Sequence, residues 1–205
     1  MSRSRHARPA AVAVLALGAL CLFLLVPASA GATTHLLGAG TATFTLDPTE
    51  TGDFIGAHIP PYPIYPARIS FTTSRVTFKM PIYGGTWTPG AGPHGTFLLR
   101  GGLAYVGPGT GTFVLLNLKY WRAGVNNSAG ISISANGTRS SNFFDENLMG
   151  SIPSVVTIHG HKYAKVTNVM LFFNATSTGA ISAAFGWSPM NGDPFGAVTF
   201  LARLK

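Results

Sequence analysis

The chain has 205 residues, a formal net charge of +8 and one cysteine, which fits a single domain with a sizeable core. Its Lys and Arg residues are scattered, so the sequence lacks the clustered basic face typical of nucleic-acid-binding proteins. The one cysteine, Cys21, lies in an N-terminal apolar segment, which excludes a disulfide or a thiol nucleophile from the rest of the chain.

Residues 1–30 have the features of a secretory signal. Arg3, Arg5 and Arg8 precede an apolar run over residues 10–26, and Ala28-Ser29-Ala30 is typical of a cleavage site. The apolar run is shorter than the ~20 residues that a spanning helix needs. We therefore predict a secreted or cell-surface protein with no membrane span after cleavage, the alternative being an uncleaved anchor.

Residues 31–66 are predicted to be an N-terminal strand and loop that belong to the domain. The alternation over residues 41–46 predicts the strand. The proline-rich segment HIPPYPIYP predicts an extended loop over residues 47–66. Its Tyr62 and Tyr65 either cover an open end of the sheet or form an aromatic platform for a ligand.

Strand patterns with glycine and proline turns fill most of the remainder, residues 67–205. Residues 68–80 predict one long strand with a bulge near residues 73–74, where the apolar phase shifts. Residues 95–106 predict either two strands or one strand bent at glycine, and residues 112–121 and 129–135 each predict a strand.

The last third contains the most informative segment. Residues 139–153 are mixed in character and favour a short helical turn or lid, and residues 155–163 predict a strand. The closing block predicts a strand over residues 166–175, a short helix capped by Thr178, and a strand over residues 195–201. We expect these two strands to share one sheet, with the helix packed against it through Ile181, Ala184 and Phe185.

These elements predict a mainly β fold: a sandwich or open barrel of many short antiparallel strands with one short C-terminal helix. Several segments resemble the secreted HtaA-type domain of actinobacteria. The resemblance rests on Gly102–Gly107, on Gly111–Leu118, and on the closing block from Val169 to Gly196, including Ala183-Ala184-Phe185-Gly186. It implies a β core over residues 67–205 and an association with haem.

The resemblance does not extend to the haem ligands. In that family, a tyrosine near the N-terminus of the domain is the iron ligand, and a histidine in the glycine turn between the two middle strands supports it. Here the corresponding turn, Gly107-Pro108-Gly109-Thr110-Gly111, contains no histidine. The resemblance therefore implies the fold and leaves the iron ligand to be identified from this chain.

His159 and His161 are the first candidates for metal or haem binding. On one strand, residues two apart point to the same side, so both imidazoles and the Tyr163 phenol would converge. Imidazole nitrogens bind zinc, copper and iron, and phenolate is a haem ligand. The alternative is that the three residues form the solvent-facing side of a half-buried strand. Trp121 is a further candidate, because its ring can stack on a planar ligand or cap the core.

We predict a non-enzymatic binding or structural domain, whose ligand is haem or an anionic cell-wall polymer. The alternative is a secreted hydrolase acting on a polysaccharide or another wall polymer. Asp145 and Glu146 are adjacent, so on a strand they would point apart, whereas glycoside hydrolysis needs two carboxyl groups facing one bond. A second acid beside either of them would favour the hydrolase.

Overall fold

Alternating apolar and polar residues form the central strands of the protein. The structure is a computed structural model, and it describes residues 33–89, 94–108, 112–123, 128–135, 138–140, 143–147 and 151–205. The predicted signal, residues 1–30, lies outside these ranges. The described strands are β1 (His35–Leu46), β2 (Pro61–Ile64), β3 (Arg68–Phe71), β4 (Val76–Thr88), β5 (His94–Leu99), β6 (Gly102–Val106), β7 (Thr112–Ala123), β8 (Ser128–Ala135), β9 (Thr138–Ser140), β10 (Phe144–Asn147), β11 (Ile152–Ile158), β12 (His161–Phe173) and β13 (Pro194–Leu204). Two helices accompany them in the described ranges, α1 (Pro48–Gly56) and α2 (Ala175–Phe185).

The strands form an open, antiparallel sheet in the order β10-β12-β13-β1-β4-β5-β7-β6-β2. β11 pairs with β12, β3 with β4, and the β8–β9 hairpin with β7. The predicted mainly β, antiparallel fold is confirmed. None of the helices in the described ranges has the length and apolar character needed to cross a membrane.

The core lies along the buried faces of β1, β4, β12 and β13. On β13, Val198, Phe200 and Ala202 alternate inward and are fully buried, as expected for a strand with one face on the core. The Phe200 ring stacks on Phe97 of β5, with 4.9 Å between ring centroids. These aromatic contacts join strands that are far apart in the sequence, so the central sheet behaves as one packed unit.

The predictions for the closing block are confirmed. β12 and β13 pair directly, Ile181 of α2 is fully buried, and Ala184 and Phe185 pack against the core. The helix begins earlier than predicted, because Asn174 rather than Thr178 is its N-cap and its side chain accepts from the backbone N–H groups of Thr176 and Ser177.

The predicted loop over residues 47–66 is wrong. It contains helix α1 and the edge strand β2, which pairs with β6. Asp47 caps the helix and Pro48 follows it, the position at which proline is tolerated because its missing N–H would be unpaired. Pro61 and Pro63 lie on β2, which has one partner strand, β6, among the described residues and so tolerates missing backbone donors.

Three other predictions differ from the structure, and in two of them a tight turn interrupts a segment that looks continuous. Residues 68–80 form the β3–β4 hairpin, in which Phe71 pairs with Val76, so the phase shift marks a turn and not a bulge. The described residues of the segment 139–153, which are 139–140, 143–147 and 151–153, belong mainly to the strands β9, β10 and β11 and form no helical turn. Residues 155–163 form the β11–β12 hairpin, in which Ile158 pairs with His161.

Residues 95–106 run as the predicted glycine-bent strand, which the bend divides into β5 and β6. β5 and β6 both pair with β7, β5 through Leu98↔Lys119 and β6 through Gly102↔Leu116. They therefore run one after the other along the same strand. Gly101 between them has a φ of 89°, a conformation that glycine adopts without strain.

Candidate functional site

A groove of about 760 Å³ opens beside helix α1. It lies between the end of that helix, the edge strand β2 and the end of β6, and we call it the α1 groove. Its volume falls within the range of roughly 300–1,000 Å³ that is usual for small-molecule and cofactor sites. Its walls are mostly apolar, and two side chains in it can bind a metal ion. The lining residues are Ile55, His58, Pro60, Tyr62, Val106, Gly107 and Pro108.

Helix α1 is anchored at both ends. At its start, the Asp47 carboxylate accepts hydrogen bonds from the backbone N–H groups of Thr49 at 2.9 Å and Glu50 at 3.4 Å, which satisfies donors that a helix leaves unpaired. Near its end, the Phe54 ring packs on Tyr105 of β6 at 4.6 Å and meets Trp187 edge-on at 5.1 Å. The helix is therefore held against the sheet, and the wall that it gives to the groove is fixed.

His58 follows α1 in a left-handed backbone conformation, with a φ of 61°. The N–H of His58 donates to the carbonyl of Ile55 at 3.0 Å, and the N–H of Ile59 donates to the carbonyl of Phe54 at 2.8 Å. This is the Schellman pattern that ends many helices, and its left-handed residue is usually glycine. A non-glycine residue in this conformation is uncommon and is a reason to look for a function.

The imidazole of His58 is available to a ligand. The side chain is exposed and lines the groove, and none of its hydrogen bonds within the described ranges involves the ring. Tyr62 lies on the other wall, on β2, where it pairs with Ala104 and is 51% exposed. The groove therefore combines an imidazole, a phenol and apolar walls.

Three aspartates lie close enough to the buried Glu50 of α1 to affect its ionisation. Burial raises the pKa of Glu50 to about 7, and the nearby carboxylates of Asp193, Asp53 and Asp47 add to the effect. Its Oε2 atom is buried without a hydrogen-bond partner. Burial also raises the pKa of Tyr105, with a contribution from Glu50. Near neutral pH the carboxyl group of Glu50 is therefore partly protonated, whereas an exposed glutamate would be ionised.

The structure separates the residues that the sequence predicted to act together. Tyr62 lies in the α1 groove, whereas Tyr65 is 91% exposed and lies outside it. Trp121 lies on β7, where it pairs with Thr96 of β5, and its side chain is outside what the structure describes. The proline-rich segment thus contributes one of its two tyrosines to a groove.

The prediction that His159, His161 and Tyr163 lie on one face of a single strand is wrong, because residues 155–163 are a hairpin. His159 and Gly160 form the two-residue turn between β11 and β12, with φ values of 48° and 77°, as in a type I′ hairpin. His161 begins β12 and is exposed, and Tyr163 follows on the same face, half-buried. Because His159 is in the turn, the alternation that would align it with His161 does not apply.

Metal binding by His159 and His161 remains a prediction. Among the described residues, no three His, Cys, Asp or Glu side chains come together in a way that could hold a metal ion. The His161 Nδ1 atom is hydrogen-bonded to the Arg203 Nη2 atom at 2.9 Å. A guanidinium group can only donate, so this ring nitrogen is already used as an acceptor.

Asp145 and Glu146 occupy successive positions on β10. Asp145 is exposed and accepts a hydrogen bond from the Asn174 side chain at 3.2 Å. Burial raises the pKa of Glu146 to about 8, with a contribution from Asp145. Asp145 is the one carboxylate that contributes to the raised pKa of Glu146, so the second acid that would favour the hydrolase is not found close to Glu146 among the described residues.

His58 was missed by the sequence analysis as a principal candidate. The signal that would have found it is the sequence Asp47-Pro48, which is a strong helix start. A helix that begins there has its end at Gly56, two residues before His58. His58 then lies at the end of the helix, and Tyr62 lies on the strand that follows it. The repeated prolines drew attention to an extended loop and hid the helix.

No protein-family model matches the sequence, and no curated protein matches it in sequence. Solved structures match it in fold. The C-terminal domain of HtaA from Corynebacterium glutamicum has a TM-score of 0.52 and 14% identity, over 82% of this chain and 99% of that one. The haem binding protein HtaB from the same organism has a TM-score of 0.52 and 10% identity, over 84% of this chain and 96% of that one. At these identities the comparison shows the fold alone, and this chain has a distant HtaA-like fold.

Proposed function

We propose that the protein binds haem in the α1 groove. The observation that carries the proposal is the presence of His58 and Tyr62 in one largely apolar groove of about 760 Å³. Haem iron is held in proteins by imidazole nitrogen or by phenolate oxygen, among other ligands. The fold adds support, because one of its structural relatives is described as a haem binding protein.

The residues of the groove fit the group. A porphyrin is flat and apolar over most of its surface, and Ile55, Val106 and Pro108 offer apolar contacts to such a ring. His58 and Tyr62 would hold the iron, through an imidazole nitrogen and a phenol oxygen. Haem would supply an iron centre whose chemistry depends on these protein groups, and the chain's own part would be to bind and orient it.

The groove also explains how this chain departs from the ligands that the family resemblance implied. The turn after β6 contains no histidine, but Gly107 and Pro108 of that turn still form one wall of the groove. His58 supplies an imidazole from the opposite wall. An imidazole and a phenol are therefore present in the same groove, although the histidine comes from a different segment.

We place this function outside the cell, in a non-enzymatic binding protein. The placement rests on residues 1–30, whose basic start, apolar centre and small-residue end are typical of a secretory signal. A secreted or surface-attached haem-binding domain would capture or hand over haem rather than transform it. Its binding would then be saturable and reversible, with no product formed.

Haemin titration of the purified protein, followed by visible absorbance, tests the proposal. We expect a saturable new Soret band at one equivalent. The double variant His58→Gly/Tyr62→Phe should lose the band or weaken haemin binding at least about tenfold, because it removes both iron donors. Glycine suits the left-handed position and phenylalanine keeps the ring, so both changes preserve the fold.

The matched control is His161→Ala/Tyr163→Phe, which removes one imidazole and one phenol outside the groove. It should bind haemin like the wild type. The single variants identify the ligand, since loss of the iron ligand changes the spectrum and loss of a supporting group changes mainly the affinity. A wild-type protein without a Soret band, or loss of binding in the control pair alone, would refute haem binding in the α1 groove.

A further inference from the structure

A second groove, of about 600 Å³, lies at the other end of the sheet. It is formed where β1 begins, β4 and β13 end, and the β11–β12 hairpin turns, and we call it the strand-end groove. The register places these ends side by side, because Leu37 pairs with Leu204 and Tyr163 pairs with Arg203. The lining residues are His35, Pro89, Val155, Gly160, His161, Lys162, Arg203, Leu204 and Lys205.

The strand-end groove is strongly cationic. Lys162, Arg203 and Lys205 are all exposed and line it together with two histidines. The chain has six acidic residues, all of them in the described ranges, and none lines this groove. None of the three cations forms an ion pair with a described residue, so their charges are available to a ligand from solution.

The polar side chains of the groove present donors. The Arg203 Nη2 atom lies 2.9 Å from the His161 Nδ1 atom, and arginine has no acceptor, so this nitrogen accepts. The neutral imidazole then carries its proton on Nε2, which is a donor. Lysine ammonium groups also only donate. A ligand that satisfies this set must bring several acceptor oxygens and negative charge.

We propose that the strand-end groove binds phosphate groups, either as free phosphate or as the repeating unit of an anionic polymer. A tetrahedral phosphate offers three or four oxygens to donors that approach from different strands, which suits a guanidinium, two ammonium groups and an imidazole N–H better than a planar carboxylate does. The groove, of about 600 Å³, is larger than one phosphate group needs, and this favours a polymer. The site shares no lining residue with the α1 groove, so phosphate binding and haem binding can be tested separately.

Calorimetric titration of the purified protein at low salt, with inorganic phosphate and with a linear polyphosphate, tests the site. We expect polyphosphate to bind more tightly than inorganic phosphate and its affinity to fall as salt is raised, because binding releases counterions. Polyphosphate affinity should fall about tenfold or more in Lys162→Gln/Arg203→Gln, which removes two charge-assisted contacts.

The control is Arg75→Gln/Lys79→Gln, which removes the same charge from exposed positions on the β3–β4 hairpin. It should change the affinity less than about threefold, since it alters only the overall field. Amide shifts in an NMR titration should concentrate on Gly160, Lys162 and Arg203. Haemin binding by Lys162→Gln/Arg203→Gln should stay at the wild-type level.

Each other outcome has a definite meaning. Equal binding of phosphate and polyphosphate supports a site for single phosphate groups, and tighter binding of polyphosphate supports a polymer site. Equal weakening in the two double variants overturns the site and leaves only general attraction between opposite charges. Polyglutamate binding as tightly as polyphosphate overturns the assignment to phosphate, and no binding of either phosphate probe overturns the proposal as a whole.

Discussion

The two ends of one sheet carry opposite chemistry. At the end where β13 begins, the acids Asp47, Glu50, Asp53 and Asp193 gather around helix α1, and the nearby α1 groove is mainly apolar. At the end where β13 finishes, the strand-end groove is cationic, and no Asp or Glu side chain lines it. The 11 residues of β13 separate the two ends by roughly 30 Å, at ~3.3 Å per residue.

This difference shows that the sheet and the turns have separate roles. The strands between the grooves are built from alternating apolar residues, and they fix the distance and the direction of the two ends. The turns and the strand ends supply the polar groups, because only there does the chain leave the hydrogen-bonded ladder. A scattered set of charges in the sequence therefore becomes a polarised molecule once antiparallel pairing brings distant ends together.

The largest expected effect comes from breaking the sheet between the two grooves. Phe200 lies near the middle of β13, pairs with Ala42 and Val166, and is fully buried. Phe200→Ala should lower the free energy of unfolding by about 3–5 kcal/mol, through lost burial and the cavity left behind. Urea unfolding followed by circular dichroism and by tryptophan fluorescence measures the loss, with Thr199→Ala on the other face as the control.

The same experiment tests whether the two ends depend on one core. If they do, both probes should report one transition at the same lowered urea concentration. Two separate transitions would mean that the ends fold as independent units. The polarity of the molecule would then belong to two small domains and not to one sheet.

A smaller effect, confined to the α1 end, should appear in the pH dependence of stability. The pKa of Glu50 is raised from 4.5 to about 7, so the folded protein holds this proton more tightly than the unfolded chain does. Its contribution to stability is complete below about pH 4.5 and is lost as the pH rises through about 7. Glu50→Gln removes this loss and should stabilise the protein at pH 8 by about 1–3 kcal/mol, which is less than ~1.4 kcal/mol per unit of pKa would give because solvent partly screens the carboxyl group.

Chemical unfolding of the wild type and Glu50→Gln at several pH values between 5 and 8 measures this contribution. Glu146→Gln is the matched comparison away from α1, because the pKa of Glu146 is raised to about 8 and its effect should extend to higher pH. Phosphate binding should be unchanged in Glu50→Gln. A Glu50→Gln stability curve parallel to that of the wild type would show that the carboxyl group is not held protonated by the fold.

Local patterns were enough to predict the closing block. The apolar runs of β12 and β13 and the small residues of α2 each indicate their own conformation, and the connection between the two strands, residues 174–193, contains the helix. Their pairing and the burial of Ile181 follow from those patterns. The HtaA-like fold was implied by the family resemblance of this block and of two glycine-flanked strands before it, whereas the two grooves were not predicted.

The grooves depend on turns and on pairing between distant strands, which composition does not reveal. His159 looked like a strand residue because it alternates in phase with His161 and Tyr163, whereas its left-handed φ is decided by the hairpin. Arg203 and His161 are 42 residues apart and meet only because β12 and β13 are antiparallel. A single sequence contains no signal for such a meeting.

The smallest effect should come from the residue that most distinguishes the two ends. His58 is exposed and occupies a left-handed position at the end of α1, whereas His161 occupies an ordinary strand position on β12. A left-handed conformation costs a non-glycine residue roughly 1–2 kcal/mol, and glycine loses more backbone entropy on folding. His58→Gly should therefore stabilise the protein by about 0.5 kcal/mol, while His161→Gly should destabilise it by about 0.5–1 kcal/mol.

Urea midpoints measure both changes, and a loss of stability in His58→Gly would mean that the His58 side chain makes favourable contacts in the absence of haem. A gain of stability together with weaker haemin binding would mean that this end of the molecule keeps a strained histidine for the sake of its ligand.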